Sequence, residues 1–282
     1  MSLSAMAYEA QLTLERFPYL YRLKNLSDRL VIPSIPMSFS NQFYEVKTVD
    51  TVEEFQQVLK LRYEVFYQEF SSFKGRWNLF PYDVDLHDFS CDHLVVKELK
   101  TGKIVACYRL LSSKNQHRVD HYYSENEFNI DEFLAVPGHK LELGRACVDK
   151  AYRKGTVIAL LWKGLCEYAK KSESKYLFGC SSIVRKDFDK VGLLKNYLQE
   201  TSGDLDFNIQ PTKKYEPSKY GLSFEATELT DLKGLSPLIM MYLKAGAKMS
   251  SNWAYDRQMD CLDVFTVIDF EKISGEFSRK FA

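Results

Sequence analysis

The sequence predicts one α/β domain built on a mixed sheet, and three observations support this prediction. Segments with helical spacing of apolar residues alternate with short apolar runs that are typical of strands. The 282 residues, 45% hydrophobic and 27% charged, are enough for a full globular core. No repeat or low-complexity segment breaks the pattern. We therefore predict an N-terminal helical arm, 1–44, and a domain, 45–282, with a central twisted sheet flanked by helices and a C-terminal extension.

The first two predicted elements are helices. Leucine and tyrosine recur at helical spacing through 1–32, and Pro33 stops this helix. Thr51 followed by Glu54 is a capping box, and the apolar residues after it recur at three- and four-residue steps. The sequence therefore predicts an amphipathic helix after Thr51 that carries Arg62 on its apolar side.

A hairpin and then alternating strands and helices follow. The stretch HLVVKELKTGKIVACYRLL consists of two strand-like runs joined by a tight turn at 100–103. A variable polar segment separates this hairpin from the next strand. The later expected elements are strands at 141–148, 175–184 and 261–270 and helices at 156–171, 186–200 and 237–249.

Charge and cysteine usage narrow the function classes. Lys+Arg and Asp+Glu both number 38, so nothing indicates nucleic acid as a partner. Residues 151–200 hold ten basic and five acidic residues, which favours either an acidic partner or a solvated helix face. The six cysteines lack metal-ligand spacing, which predicts reduced core thiols and no metal site. Without a signal-peptide pattern or an apolar run near ~20 residues, we expect a cytoplasmic protein with at most peripheral membrane contact.

The stretch LELGRACVDKAYRKGTVIALLW combines a strand with a basic turn and a helix start. Glu142 and Arg145 lie inside the predicted strand, where a solvated edge and a functional cleft are both open readings. Arg153 and Lys154 precede Gly155 at the start of the helix. Unpaired N–H groups at a helix N-terminus bind phosphate, so this turn is either a phosphate site or an ordinary solvated turn.

Four aspartates within ten residues form an acidic cluster: Asp83, Asp85, Asp88 and Asp92. A solvated loop, a metal site without EF-hand spacing, and recognition of an amine are three readings. A fourth reading comes from arginines in otherwise apolar elements, because a buried guanidinium requires an acidic partner. These arginines are Arg62, Arg109 and Arg145.

Several blocks together resemble the acyl-carrier-dependent branch of the GNAT (Gcn5-related) N-acyltransferases. The blocks are LRYEVF (61–66), the aspartates at 83–88, YRLL (108–111), ELGR (142–145) and the basic turn before TVIALLW. Acyl-homoserine-lactone synthases share the sparse part, namely Arg62, Phe66, Trp77, Asp85, Asp88, Arg109, Glu142 and Arg145. The fuller resemblance is to the L-ornithine N-acyltransferases of ornithine-lipid synthesis, through CDHLVV, YLFGCSSI, PLIMMYLKAGAKM and CLDVFTV. It runs from about 45 to 270 and implies a GNAT-like fold.

The resemblance implies transfer of a 3-hydroxyacyl chain to the α-amine of ornithine. The donor would be the phosphopantetheine thioester of acyl carrier protein, with acyl-CoA as an alternative and no tightly bound cofactor. Glu142 would be the base, and its other reading is an ion pair with Arg109 or Arg145. The remaining implied catalytic residues are Asp88, Arg109 and Arg145; those for substrate are Arg62, Asp85 and Asp92, and those for the phosphate are Arg153, Lys154, Gly155 and Thr156.

Two departures from the family patterns leave alternatives open. The phosphate turn keeps one glycine and has Val157 where a small residue is usual, which suits the single phosphate of carrier-bound pantetheine. The block 259–264 reads Met-Asp-Cys-Leu-Asp-Val, so another amino acid or amine could be the acceptor. An acyl-homoserine-lactone-type signal synthase and a catalytically silent acyl-carrier-binding module remain as rival functions. A lipid product would imply peripheral contact with the inner membrane.

Overall fold

The structure, a computed structural model, describes residues 31–70, 81–118, 120–153, 155–201, 203, 205–224 and 235–273. In chain order the elements are β1 (Ser38–Ser40), β2 (Tyr44–Thr48), α1 (Val52–Tyr63), β3 (Asp92–Glu98), β4 (Ile104–Ser112), β5 (Phe128–Asn129), α2 (Asp131–Leu134), β6 (Lys140–Val148), α3 (Thr156–Lys171), β7 (Tyr176–Val184), α4 (Val191–Glu200), β8 (Gln210–Pro211), α5 (Pro237–Ala245), β9 (Lys248–Asp256) and β10 (Cys261–Asp269). The chain folds into two compact units, the first formed by 1–110 with 145–164 and the second by 111–144 with 165–282.

The first unit contains an antiparallel sheet in which β1, β2, β3 and β4 pair in that order. The predicted hairpin is β3 and β4, and Gly102 in its turn has a φ of 70°, which glycine adopts without strain. β1 lies in the range predicted as helical arm, so strand pairing begins before the boundary set at residue 44. The helical part of that prediction, 1–32, lies almost wholly outside the described residues.

The predicted amphipathic helix is α1, which packs its apolar side into the core of the first unit. Thr51 caps it, and its hydroxyl accepts a hydrogen bond from Glu54 N at 3.2 Å. The Glu54 side chain does not close the predicted capping box but forms ion pairs with Lys47 and Lys97. Phe55, Val58 and Leu59 are buried against β3 and β4 residues. A π-helical stretch, Glu64–Phe70, continues α1.

In the second unit a mixed sheet pairs β6 with β7 in parallel and then β7, β10 and β9 antiparallel. β9 was not predicted, because Lys248, Ser251 and Asn252 weaken its apolar pattern. The predicted helix at 237–249 ends earlier, at Ala245, where Gly246 turns left-handed with a φ of 92°. The mixed sheet and flanking helices confirm the predicted fold class.

The core of the second unit is aromatic. Phe133 lies 5.1 Å from Phe178 and 5.5 Å from Phe265 between ring centroids. Gly179 allows β7 to approach β6, because a Cβ at this position would lie 2.2 Å from Leu143 O. Within the described residues, no helix combines the length and apolarity needed to cross a bilayer.

Candidate active site

The predicted arginines and aspartates meet in the first unit. Arg62 lies in the last turn of α1, and Arg109 lies on β4. Asp85 precedes a 3₁₀ turn, Leu86–Phe89, that contains Asp88, and Asp88 Oδ2 accepts a hydrogen bond from Asp85 N at 2.7 Å. This capping of one aspartate by the other fixes the short acidic segment in a single orientation.

Arg62 is fully buried and bridges two of the aspartates. Its Nε donates to Asp83 Oδ2 at 2.8 Å, and its Nη1 donates to Asp88 Oδ1 at 2.6 Å. Burial alone would lower the pKa of Arg62, but Asp83 and Asp88 outweigh it and raise the pKa. The predicted pairing of a buried guanidinium with the acidic cluster is therefore what the structure contains.

Arg109 and Arg145 converge on Asp85. Arg109 Nη1 lies 2.7 Å from both carboxylate oxygens of Asp85, and Arg145 Nη2 lies 3.1 Å from Oδ2. Burial opposes ionisation of Asp85, yet Arg109, Arg145 and Arg62 hold its pKa well below the usual range. The network therefore joins three arginines to three aspartates, so its formal charges balance.

Solvent reaches the network at one end. The side chains of Asp85 and Arg145 are 26% and 21% exposed, whereas those of Arg62 and Asp88 are buried. Arg145 also has a φ of 52°, so β6 departs from extended backbone at this residue. Such a distortion in a strand re-aims the side chain. Asp85 and Arg145 are thus the members that solvent reaches, while Arg62 and Asp88 are enclosed.

The other predicted substrate residue, Asp92, makes a different set of contacts. Its carboxylate accepts backbone hydrogen bonds from Ser34 N at 2.8 Å and Ile35 N at 2.9 Å. It therefore fastens the segment before β1 to the start of β3. In the same strand, His93 is buried, and burial lowers its pKa, so the ring is neutral beside the network.

The basic turn after β6 is described in part, because Lys154 lies outside the described residues. Arg153 Nε donates to Val148 O at 3.0 Å, which ties the guanidinium back to the strand. Gly155 has a φ of 67°, with no atom within 4 Å of an added Cβ, and Thr156 begins α3. The open space and the helix N-terminus agree with the predicted phosphate cradle, which stays a prediction.

Glu142 lies in the second unit, on the part of β6 that pairs with β7. Its carboxylate accepts three hydrogen bonds: from Tyr123 N at 3.0 Å, from Ser124 N at 2.7 Å and from Ser124 Oγ at 2.7 Å. These partners are neutral donors, rather than the ion pair that was the alternative reading. They hold Glu142 against a 3₁₀ turn, Tyr123–Asn126, in a segment that the sequence showed only as polar and variable.

A group of carboxylates that the sequence did not single out lies in the second unit. Oxygens of Glu127, Asp256 and Asp263 lie within 4.8 Å of one another, and all three residues are buried. Described partners of Asp263 include Ser182 Oγ at 2.6 Å. Burial, followed by Asp256, raises the pKa of the neighbouring Tyr215 phenol. Such a group could hold a metal ion or an ammonium group; its one sequence signal was the unusual block that contains Asp263.

Comparison with known proteins agrees with this architecture. Residues 61–163 match the model of the Acetyltransferase (GNAT) domain family. An L-ornithine N(alpha)-acyltransferase of Brucella abortus is 27% identical, over 83% of this chain and 86% of that protein. One of Rhizobium meliloti is 29% identical, over 83% of this chain and 82% of that protein.

Among solved structures, FeeM, an N-acyl amino acid synthase from uncultured soil microbes, overlays with a TM-score of 0.45. It is 8% identical, over 87% of this chain and 96% of FeeM. The GNAT domain and the named relatives confirm the predicted GNAT-like fold and the predicted acyl transfer, whereas the site residues stay predictions. Residues 61–163 of the chain thus match a GNAT acetyltransferase domain, and the chain is similar over 83% of its length to proteins named L-ornithine N(alpha)-acyltransferase.

Proposed function

We propose that the chain transfers a 3-hydroxyacyl group from acyl carrier protein to the α-amine of ornithine, giving lyso-ornithine lipid. The carrying observation is similarity to proteins named L-ornithine N(alpha)-acyltransferase over 83% of the chain. The amine nitrogen bonds to the thioester carbonyl carbon, the C–S bond breaks, and pantetheine leaves as a thiolate that takes up a proton. The amine passes one proton to a base, and Glu142 fills that role.

The donor would be held by features of α3 and the turn before it. Arg153, Gly155 and Thr156 offer positive charge and helix N–H groups to one phosphate, as do the residues of known anion-binding turns. Lys163, Lys170 and Lys171 are exposed on α3, which suits an acidic carrier protein. A lipid product favours a cytoplasmic enzyme in peripheral contact with the inner membrane.

Ornithine carries a second amine on its side chain. The carboxylates of the second unit suit this amine better than Asp85 and Asp88 do. The latter two are engaged by arginines. Glu127, Asp256 and Asp263 group their oxygens within 4.8 Å, which suits one alkylammonium. Norvaline matches the chain length of ornithine but lacks the side-chain amine, so it isolates this contribution. We expect kcat/KM to favour ornithine over norvaline at least about tenfold, as a charge-assisted hydrogen bond allows.

The deciding experiment combines 3-hydroxyacyl carrier protein or acyl-CoA with ornithine, lysine, norvaline or S-adenosylmethionine, and reads released thiol and product mass. Acyl-ornithine from the carrier-bound donor supports the proposal. A lower KM for acyl-CoA would overturn the choice of carrier protein. A lactone product from S-adenosylmethionine would favour a signal synthase. Tight carrier binding without thiol release for any acceptor would favour a silent module.

The role of Glu142 has its own variant. Glu142→Gln removes the proton acceptor and keeps the shape, so we expect turnover to fall about 10²-fold or more. Binding of the acyl carrier protein should change little. Glu132→Gln in the same unit is the control, because Glu132 is exposed and its carboxylate accepts a hydrogen bond from Asn208 N at 3.0 Å. Equal losses of turnover and carrier binding in Glu142→Gln would make Glu142 a structural residue.

A further inference from the structure

The two oxygens of Glu142 are not equivalent. Oε1 accepts from both the backbone N–H and the hydroxyl of Ser124, each at 2.7 Å, whereas Oε2 accepts from Tyr123 N alone, at 3.0 Å. A carboxylate offers about two acceptor positions on each oxygen. Ser124 therefore fills both positions on Oε1, and within the described structure Oε2 keeps one open. A proton transferred to Glu142 therefore binds to Oε2.

The Ser124 hydroxyl has a defined direction. Cys180 Sγ donates to Ser124 Oγ at 3.6 Å, and the Ser124 hydroxyl donates to Glu142 Oε1. Burial, followed by the neighbouring Glu127 and Asp263, raises the pKa of the Cys180 thiol, so it keeps its proton and acts as a donor. Because the serine accepts from the thiol, its own proton points to the carboxylate.

The turn that carries these donors is braced from two sides. Glu125 Oε2 accepts from Tyr122 N at 2.6 Å inside the turn. Thr212, on a distant segment, donates its backbone N–H to Glu127 O at 2.7 Å and its hydroxyl to Asn126 O at 2.9 Å. The donors to Glu142 are thus fixed before any substrate binds, which is the condition for positioning a reacting group.

We infer that Ser124 is a positioning residue for Glu142: it occupies Oε1 and presents Oε2 to the acceptor's proton. The inference rests on the proposed function, in which Glu142 is the base. Titratable groups that face this carboxylate in the described part of the chain include Tyr122 and the Cys180 thiol, and Cys180 in turn faces Glu127. Ser124 supplies two of the three hydrogen bonds that the Glu142 carboxylate accepts from described residues.

The test is the pH dependence of kcat in wild type, Ser124→Ala, Ser124→Thr and Cys180→Ala, over a range of about pH 5.5 to 9. We expect Ser124→Ala to move the acidic limb up by roughly one pH unit, the equivalent of one lost charge-assisted hydrogen bond. The plateau rate and the KM for the acyl donor should stay within about threefold, since the base still ionises at high pH. Ser124→Thr keeps the hydroxyl and should restore the limb.

Ser172→Ala is the matched control, because Ser172 is also buried in the second unit but bonds to Ala169 O and Ser174. Its profile should equal that of wild type. If Ser124→Ala does not fold, Cys180→Ala must move the limb in the same direction, by a smaller amount, because it frees the hydroxyl to rotate. An unmoved limb, or an equal loss of rate at every pH, overturns the role of Ser124 in an active enzyme. A wild type that acylates no amino acid refutes the proposed function itself, and this role with it.

Discussion

Replacing Arg62 by methionine tests whether the charge network of the first unit is structural. The guanidinium is fully buried and lies within hydrogen-bond distance of both Asp83 and Asp88. Methionine fills a similar volume but donates no hydrogen bond and carries no charge. Arg109 and Arg145 remain, so the network passes from three balanced pairs to one unbalanced carboxylate at its buried end.

The magnitude follows from that imbalance. Removing one partner of a buried ion pair costs about 3–5 kcal/mol, because the remaining charge is left without its counterion. At roughly 2–4 °C per kcal/mol for a chain of this size class, the thermal midpoint should fall by roughly 10 °C. Adding Asp88→Asn removes the excess charge, so it should recover part of the loss in the Arg62→Met background.

Thermal and urea unfolding of the four members of this double-mutant cycle provide the measurement. The control is Arg185→Met, because Arg185 is 49% exposed and lies 3.1 Å from Asp260, a surface pair worth at most about 1 kcal/mol. The expected loss in the free energy of unfolding of Arg62→Met is about 3–5 kcal/mol. A loss below about 1 kcal/mol would refute the structural role. Purely additive effects of Arg62→Met and Asp88→Asn would refute the pairing.

Three further predictions concern stability. Gly179→Ala places a Cβ 2.2 Å from Leu143 O, a backbone atom that cannot rotate away, and should cost about 1–3 kcal/mol in urea unfolding. Burial lowers the pKa of His93 in the folded state, so the unfolded state binds the proton first as pH falls. The free energy of unfolding should therefore fall below about pH 6.5, by at most about 1.4 kcal/mol per pH unit. His93→Gln should remove this pH dependence. Arg109, Arg145 and Arg62 lower the pKa of Asp85 even though burial opposes this. The stability that ionised Asp85 contributes to the fold is therefore present above about pH 4 and lost in stronger acid. Asp85→Asn should be less stable than wild type at neutral pH, and the difference should shrink as pH falls.

The local features of the fold were predictable from sequence because short-range chemistry decides them. Thr51 caps α1, and Gly102 turns the hairpin, through contacts with residues only a few positions away. β9 was missed, since its exposed Ser251 and Asn252 hide the alternation that marks a strand. The early end of α5 follows from Gly246, whose left-handed backbone begins the turn into β9.

In the candidate site, too, some contacts were predictable from the sequence and others were not. The sequence indicated that Arg62 needs an acidic partner, and the structure pairs it with Asp83 and Asp88. It could not indicate that Ser124 would hold Glu142, because 18 residues separate the two and neither belongs to a local motif. Such contacts depend on how a polar segment packs, and polar segments carry little periodic signal.

The distribution of buried charge changes where an amine acceptor is expected to bind. Residue types alone predict that the acidic cluster recognises an amine, but arginines already pair with its members Asp85 and Asp88. An added ammonium group there would face Arg109 and Arg145 at close range and be repelled. The oxygens of Glu127, Asp256 and Asp263, by contrast, converge within 4.8 Å of one another and could together bind one ammonium group. Asp263→Asn should consequently lower kcat/KM for ornithine more than for norvaline. Equal losses for both acceptors would instead indicate that the acceptor's second amine binds near Asp85.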